Sequence, residues 1–318
     1  MNSLKYDCDV CGSSDCVEIP NVRQYTAGQA IHVCKGCGLV YCRTRRSPED
    51  LAIYWEEQMY GRERREQIVY DPERPVFAGR RAYAVSFLKK SFGGGLQAKK
   101  IFDIGLGEGQ FGEQLREAGC AVSGVETSKE NSKVLAEKKI LHYLGTIEQY
   151  DTLSEVKKFE KVDIATIIFV LQNSQSATAM VNAAYNQLKE GGSLFIMMGS
   201  RILVPFRKPI GTYFSTLPQD VQPYHFSIST LQHLLAKCGF AITHFNNYWD
   251  DELMCVIARK LSRDEKVEKM KDDDQEVLNW FERWHHESEK MVKYIKKIPG
   301  VRYHGLPSEH TFYEQWQK

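Results

Sequence analysis

The sequence predicts an α/β protein built on a doubly wound parallel sheet, and three observations carry that reading. Strand-like and helix-like segments alternate from residue 100 onward. A glycine-rich loop joins the first of those strands to the first helix. The last two strands follow each other with no helix between, which predicts an antiparallel hairpin at one edge.

Taken in order, residues 1–42 read as short extended pieces between turns, within a small ribbon of residues 1–46. "SPEDLAIYWEEQMY" then starts a helix, with Ser47 as N-cap, Pro48 in the first helical position and acids in the first turn. "FAGRRAYAVSFLKKSF" is a second helix, stopped by Gly93-Gly94-Gly95, so residues 47–95 form a helical linker. The domain at 96–260 runs strand "KKIFDIG", helix "GQFGEQLREAG", strand "AVSGVE" and helix "SKENSKVLAEKK". It continues with the buried strand "KVDIATIIFVLQ", the helix "SATAMVNAAYNQLKEGG" with a glycine stop, and the strand "SLFIMMG". The helix "STLQHLLAKCGF" leads into the closing pair "AITHFNNYW" and "LMCVIARK". The tail, 261–318, is charged but carries Val277, Leu278, Phe281, Trp284, Met291, Val292 and Ile295 at helical spacing. It reads as an amphipathic helix, ended by Pro299-Gly300, that packs on the main domain or on a partner subunit.

Composition narrows the function classes. The 318 residues carry a net charge of +1, and residues 1–60 hold six basic against eight acidic groups. No region is strongly basic, which disfavours a nucleic-acid partner. No apolar run approaches the ~18 residues of a membrane span, and "MNSLKYDCD" lacks a secretory signal, so the cytoplasm is the expected compartment. There, nine cysteines point to metal rather than to disulfides.

Cys8-x2-Cys11 and Cys34-x2-Cys37 each place two thiolates on a tight knuckle followed by glycine. Two knuckles together make a tetrahedral S4 site for Zn²⁺. Four thiolates leave no open coordination position, so the role is structural, and the metal supplies folding energy to a module too small for its own core. Cys16 and Cys42 are spare, and exchange of one for a ligand stays open. Cys120, Cys238 and Cys255 read as small hydrophobes of the core. Arg43, Arg45 and Arg46, and two further arginine clusters at 62–65 and 80–81, read singly as solvated surface; a phosphate clamp is the sharper alternative.

Asp103-Ile-Gly105-Leu-Gly107-Glu-Gly109 lies directly between a strand and a helix. Such glycines let the backbone turn tightly and approach a ligand. Glu126, with Thr127 beside it, ends the next strand, where an acid accepts hydrogen bonds from both hydroxyls of a ribose. A dinucleotide would place a pyrophosphate here, but Asp103 and Glu108 oppose that charge and suit a cationic sulfonium.

On these residues the chain, over about 75–260, resembles the class I S-adenosylmethionine-dependent methyltransferases. "FDIGLGEG" is similar to their first motif, Glu126 to their ribose-binding acid, and "LKEGGSLFIMM" to the turn and strand after their fifth helix. The resemblance implies a Rossmann-like seven-stranded sheet with a terminal antiparallel hairpin, S-adenosylmethionine as cofactor, and adenine contact through the backbone of Thr146 and Ile147. Two departures stand out: Gly145-Thr146-Ile147 lacks the acid that many relatives aim at adenine. Leu171-Gln172-Asn173 replaces a Leu-Glu-His pattern, and neither amide takes a proton. The ribbon, "GLVY", and "SPEDLAIYWEEQMY" ahead of that domain resemble bacterial methyltransferases of sugars and natural-product precursors, including sugar C-methyltransferases. That subgroup's further α/β domain has no counterpart in the residues after Lys260.

For proton removal the sequence nominates His225, with Tyr224 as orienter or alternative base, on the loop before the last helix. Tyr213 is a candidate substrate contact. His233 reads as structural, His285-His286 as exposed, and His32 as a ribbon residue facing the cleft. The resulting expectation is an enzyme methylating oxygen or carbon of a small acceptor, such as a phosphorylated or nucleotide-linked sugar, as a monomer or homodimer. A zinc-ribbon RNA methyltransferase and a non-catalytic interaction protein on the same fold are the alternatives.

Overall fold

The computed structural model describes residues 3–59, 75–199, 210, 213–214, 218–246, 253–262, 264–295 and 297. The expected helix stop at Pro299-Gly300 lies outside them, as do residues 60–74.

The N-terminal module contributes β1 (Ser3–Lys5), β2 (Cys16–Glu18), β3 (His32–Cys34), β4 (Val40–Tyr41) and β5 (Thr44–Arg46). Helix α1 (Pro48–Ile53) starts where the sequence places it, because Ser47 Oγ accepts the Asp50 N–H at 3.2 Å. It continues into a π-helical turn at Tyr54–Met59, and α2 (Pro75–Ser91) follows.

The main domain then runs β6 (Lys100–Ile104), α3 (Gln110–Glu117), β7 (Ala121–Glu126), α4 (Lys129–Glu137), β8 (Leu141–Leu144), α5 (Ile147–Asp151), β9 (Val162–Ile168), α6 (Ala177–Gln187) and β10 (Leu188–Gly199). It closes with β11 (Tyr224–His225), α7 (Ile228–Lys237), β12 (Phe240–Phe245) and β13 (Leu253–Lys260), and α8 (Asp274–Ile295) follows. The sheet order is β12-β13-β10-β9-β6-β7-β8. Its strands are parallel except β13, which pairs antiparallel with both neighbours. The doubly wound sheet with its antiparallel hairpin is therefore present. Alternation along each strand divides the core: Phe102, Ile104, Ala165 and Ile167 pack on one face, Ile101, Ile164, Phe195 and Met197 on the other.

The structure departs from the sequence reading in three places. β8 and the short α5 were not among the predicted elements; β8 is a four-residue edge strand with Leu141 and Leu144 exposed, so it lacks an apolar run. The segment Leu188–Gly192, read as the end of a helix, belongs to β10, which absorbs it through a register shift between Leu188 and Ser193. The third is β11, placed in a loop by sequence. It pairs antiparallel with β4 and completes a four-stranded sheet, β11-β4-β3-β2, inside the ribbon.

The tail helix packs on the ribbon. Val277, Phe281 and Trp284 share a core with Ile19, Val22, Ile31, Val33 and Val40 of the ribbon, and with Ile210 and Phe214. His285, expected at the surface, is buried there instead, its Nδ1 2.5 Å from Tyr25 Oη; His286 is exposed.

Candidate functional site

The carboxyl ends of β6, β7, β8 and β9 open on one side of the sheet, where open α/β folds hold their ligands. The glycine loop after β6 turns back onto β7: Gly105 N and Leu106 N both donate to Val125 O, at 3.0 and 3.1 Å. Gly105 has φ +86°, and a Cβ there would lie 2.5 Å from Val170 Cγ2, so no other residue fits without displacing the segment after β9. Gly107 and Gly109 continue the loop into α3.

Glu126 is buried at the end of β7 and is held by the loop itself. Its Oε2 accepts the Gly107 N–H at 2.7 Å, and its Oε1 accepts the Ser128 N–H at 2.8 Å. Burial pushes its carboxyl up, while the N–H groups of Ser128, Gly107 and Thr127 favour the charged form. Thr127 is exposed beside it. Asp103 is buried beneath the loop, its Oδ1 accepting the Thr166 hydroxyl at 2.5 Å. Burial lifts its pKa to about 7, and the nearby Glu126 charge adds to the rise. A carboxylate at the end of β7 beside a bare backbone loop suits a ribose, and the acids around the loop suit a cationic cofactor better than a pyrophosphate, so the residues present fit S-adenosylmethionine.

Thr146 caps α5 in a reciprocal box with Gln149: Oγ1 accepts Gln149 N at 3.2 Å, and Gln149 Oε1 accepts Thr146 N at 2.9 Å. Its N–H is thus already engaged. Ile147 follows in the first helical turn, with its side chain in the core.

The segment after β9 forms the far wall. Phe169 adopts φ +56°, a strained conformation for an aromatic residue, and the Arg80 guanidinium of α2 lies 5.3 Å from its ring centroid. Sequence reasoning passed over Phe169, since nothing in a buried strand run marks the residue that must turn out of it. Gln172 Oε1, Asn173 Oδ1 and Gln175 Oε1 are buried there with no hydrogen-bond partner.

The ribbon docks against this wall. Its Cys8, Cys11, Cys34 and Cys37 sulfurs all lie within 4.8 Å of one another. The knuckles repeat the same bonds: Gly12 N donates to Cys8 O at 2.7 Å and Gly38 N to Cys34 O at 2.8 Å. Gly38, at φ +73°, lets Asp272 of the tail approach so closely that a Cβ would sit 2.6 Å from its carbonyl oxygen. Hydrogen bonds within the quartet hold the Cys34 thiol far below the usual thiol range and push Cys8 and Cys37 above it; four sulfurs gathered this closely suit a soft cation. Cys42 instead points its thiol at Thr44 O and Cys16 lies against Arg43, both outside the quartet. His32 is also apart from it.

Tyr224 and His225 are adjacent on β11 and face opposite ways. Tyr224 Oη donates to Gln175 O at 3.0 Å and accepts from Arg45 Nη1 at 2.6 Å. Burial raises its pKa, so this phenol keeps its proton and orients rather than serves as a base. His225 is buried with Nε2 2.8 Å from Gln219 Oε1, and its ring packs on Tyr213 and Phe214. An amide oxygen only accepts, which places the ring proton on Nε2. His233 bonds Met270 O and takes no part.

A methyltransferase-domain family model matches residues 77–245. The chain is 28% identical over 148 residues to the ubiquinone biosynthesis O-methyltransferase of Idiomarina loihiensis, covering 44% of this chain and 51% of that one. It is 31% identical over 108 residues to the protein of the same name from Glaesserella parasuis, covering 32% and 46%. It thus spans about half the length of these curated relatives. Magnesium protoporphyrin IX methyltransferase from Synechocystis PCC 6803, solved with S-adenosylhomocysteine, matches with a TM-score of 0.51 at 16% identity, over 67% of this chain and all of that one. The 1,6-didemethyltoxoflavin-N1-methyltransferase of Burkholderia thailandensis matches with a TM-score of 0.51 at 13% identity, over 70% and 96%. These likenesses show the fold. The family match spans the glycine loop, Glu126 and the wall after β9, and on it the chain belongs to the methyltransferase-domain family.

Proposed function

We propose that the chain is an S-adenosylmethionine-dependent methyltransferase acting on a small acceptor, with a structural zinc ion in the Cys8, Cys11, Cys34 and Cys37 site. The observation that carries this reading is Glu126, a buried carboxylate held by Gly107 N and Ser128 N across from an open glycine loop. When bound, the cofactor supplies an electrophilic methyl group. The chain's own residues do the rest: Asp103, Gly105, Gly107 and Gly109 shape the cradle, and Glu126, with Thr127, takes the ribose. Thr146 and Ile147 form the adenine end of the cleft. The segment after β9 and the docked ribbon confine the acceptor and exclude water.

For the proton released in O- or C-methylation we propose His225 as the candidate to be tested. It faces away from Tyr224 and the wall after β9, toward Gln219, Tyr213 and Phe214, so this role requires the acceptor to extend to that side of β11. Tyr224 positions β11 against the wall. The acceptor is proposed to be sugar-like or phosphorylated, as the ribbon and its linker suggest, which would place the enzyme in carbohydrate biosynthesis. Precursors in ubiquinone biosynthesis, to which the relatives' name points, are the comparison set.

Calorimetric titration with S-adenosylmethionine and S-adenosylhomocysteine tests the core of this reading: one site per chain is expected, and absence of binding would move the chain to the non-catalytic class. A base at His225 predicts that His225→Gln lowers kcat and removes the lower limb of the pH–rate profile at unchanged Tm. A fall in Tm with kcat intact would make it a packing residue. Steep loss of activity with salt on an RNA acceptor would favour the nucleic-acid reading.

A further inference from the structure

Three arginines close the ribbon, and the structure separates them. Arg43 pairs with Asp7 at 3.1 Å and Arg46 with Asp220 at 2.8 Å. Arg45 is the most buried of the three, at 1% exposure, yet among the described residues it forms no ion pair. Its guanidinium lies between two aromatic faces, with the carbon 4.3 Å from the Tyr6 centroid and 4.8 Å from that of Tyr224. Nη1 is spent on Gln175 O, at 2.7 Å, and on Tyr224 Oη. Nε is buried with no hydrogen-bond partner. The carboxylate of the same seam, Asp9, is committed elsewhere, to Ser176 Oγ at 2.8 Å and Thr178 N at 2.6 Å.

A buried cation without a counter-ion is costly, and cation–π contact and one carbonyl offset only part of that cost. The edge left over, Nε with Nη2, is the pair of parallel donors that matches a carboxylate or phosphoryl group bidentately. From β5, Arg45 is tied through Nη1 to the segment 172–175, which leads out of β9 and carries the unpartnered amide oxygens of Gln172, Asn173 and Gln175.

We propose that Arg45 is the anion subsite of the acceptor: an oxyanion of the substrate, carboxylate or phosphoryl, binds its Nε–Nη2 edge, while hydroxyl donors of the same molecule meet the amide oxygens after β9. The proposal rests on the methyl-transfer reading for the meaning of "acceptor", but the subsite itself is testable alone.

The test uses the full chain saturated with S-adenosylhomocysteine and follows arginine Nε–H resonances by ¹⁵N–¹H NMR, with inorganic phosphate and acetate as probes. The Arg45 signal is identified by its loss in Arg45→Lys. A saturable shift of that signal is expected, with the stronger probe telling phosphoryl from carboxylate. Followed in both proteins through the Gln175 amide resonances, which neighbour the Arg45 contact, Arg45→Lys should weaken that probe about tenfold, because lysine keeps the charge and loses the fork, with S-adenosylhomocysteine affinity unchanged. An Arg45 signal unmoved by tens of millimolar of either probe overturns the subsite, and so does equal probe binding by the variant. If Arg45→Lys does not fold, Tyr6→Leu assigns the signal through the loss of its ring-current shift, and the wild-type titration decides. Failure to bind S-adenosylhomocysteine while the probe still shifts Arg45 would overturn the methyl-transfer reading and leave the subsite standing.

Discussion

Glu126 shows how one side chain can organise a loop before any ligand arrives. Its two oxygens accept Gly107 N and Ser128 N, so the loop stands open with the carboxylate beneath it. Glu126→Gln keeps the size but loses the charge and one of the two acceptors, because its amide nitrogen cannot accept an N–H. Since hydrogen bonds to charged groups contribute about 1.5–3 kcal/mol, S-adenosylhomocysteine affinity should fall about 10- to 100-fold by calorimetry, with the fold intact. Asp103 makes a different prediction. Its pKa rises to about 7 on burial, from an ordinary 3.8. Between those values the native state keeps a proton that the unfolded chain has lost, so this group's contribution to stability declines as pH rises through that window. Asp103→Asn should therefore gain on the wild type between pH 4.5 and 7.5, by on the order of a few kcal/mol in urea unfolding. A constant difference across that range would sink the assignment.

Among the elements, α8 is the one whose partner the sequence left open. Its apolar stripe at Val277, Phe281 and Trp284 meets Ile19, Ile31 and Val33 of the ribbon. Just before it, Asp272 N donates to Cys37 O at 3.1 Å and Asp272 Oδ2 accepts from Ser227 Oγ at 2.6 Å. The thiol quartet, ribbon and tail are thereby coupled through one knuckle. If the quartet holds zinc as proposed, removing the metal with a chelator, or Cys11→Ser, should expose Trp280 and Trp284 together with the ribbon, read as a red shift in tryptophan emission and as protease cleavage before residue 274. Unchanged emission from metal-free protein would show that the tail holds without the ribbon. Trp284→Ala, which empties a fully buried site, should cost about 3–5 kcal/mol if the unit unfolds cooperatively, and leave cofactor binding to the glycine loop in place.

Over the whole molecule, the methyltransferase domain is flanked by two segments from opposite ends of the chain that build one body between them. Local signals account for what the sequence made legible. The alternation of strand-like and helix-like segments, the Ser47 cap, the glycine loop with Asp103 and Glu126, and the paired Cys-x2-Cys knuckles are all written within a few residues. Backbone geometry and hydrogen bonding at that range leave few alternatives, so fold class, cradle and thiol quartet could be read directly. The remainder depended on contacts across long separations. No local pattern says that Tyr224 and His225 extend the ribbon sheet, that His285 meets Tyr25, or that Arg45 is enclosed between Tyr6 and Tyr224 while its neighbours find carboxylates. Burial and pairing of a polar side chain belong to the packed whole, because the same arginine is solvated surface or a buried cation according to what folds over it. The sequence by itself determined the doubly wound sheet with its antiparallel hairpin, the glycine loop with Glu126 beyond it, and the likeness to a methyltransferase. Only the tertiary structure decided which face the ribbon closes and which of its arginines is left with an unmatched charge.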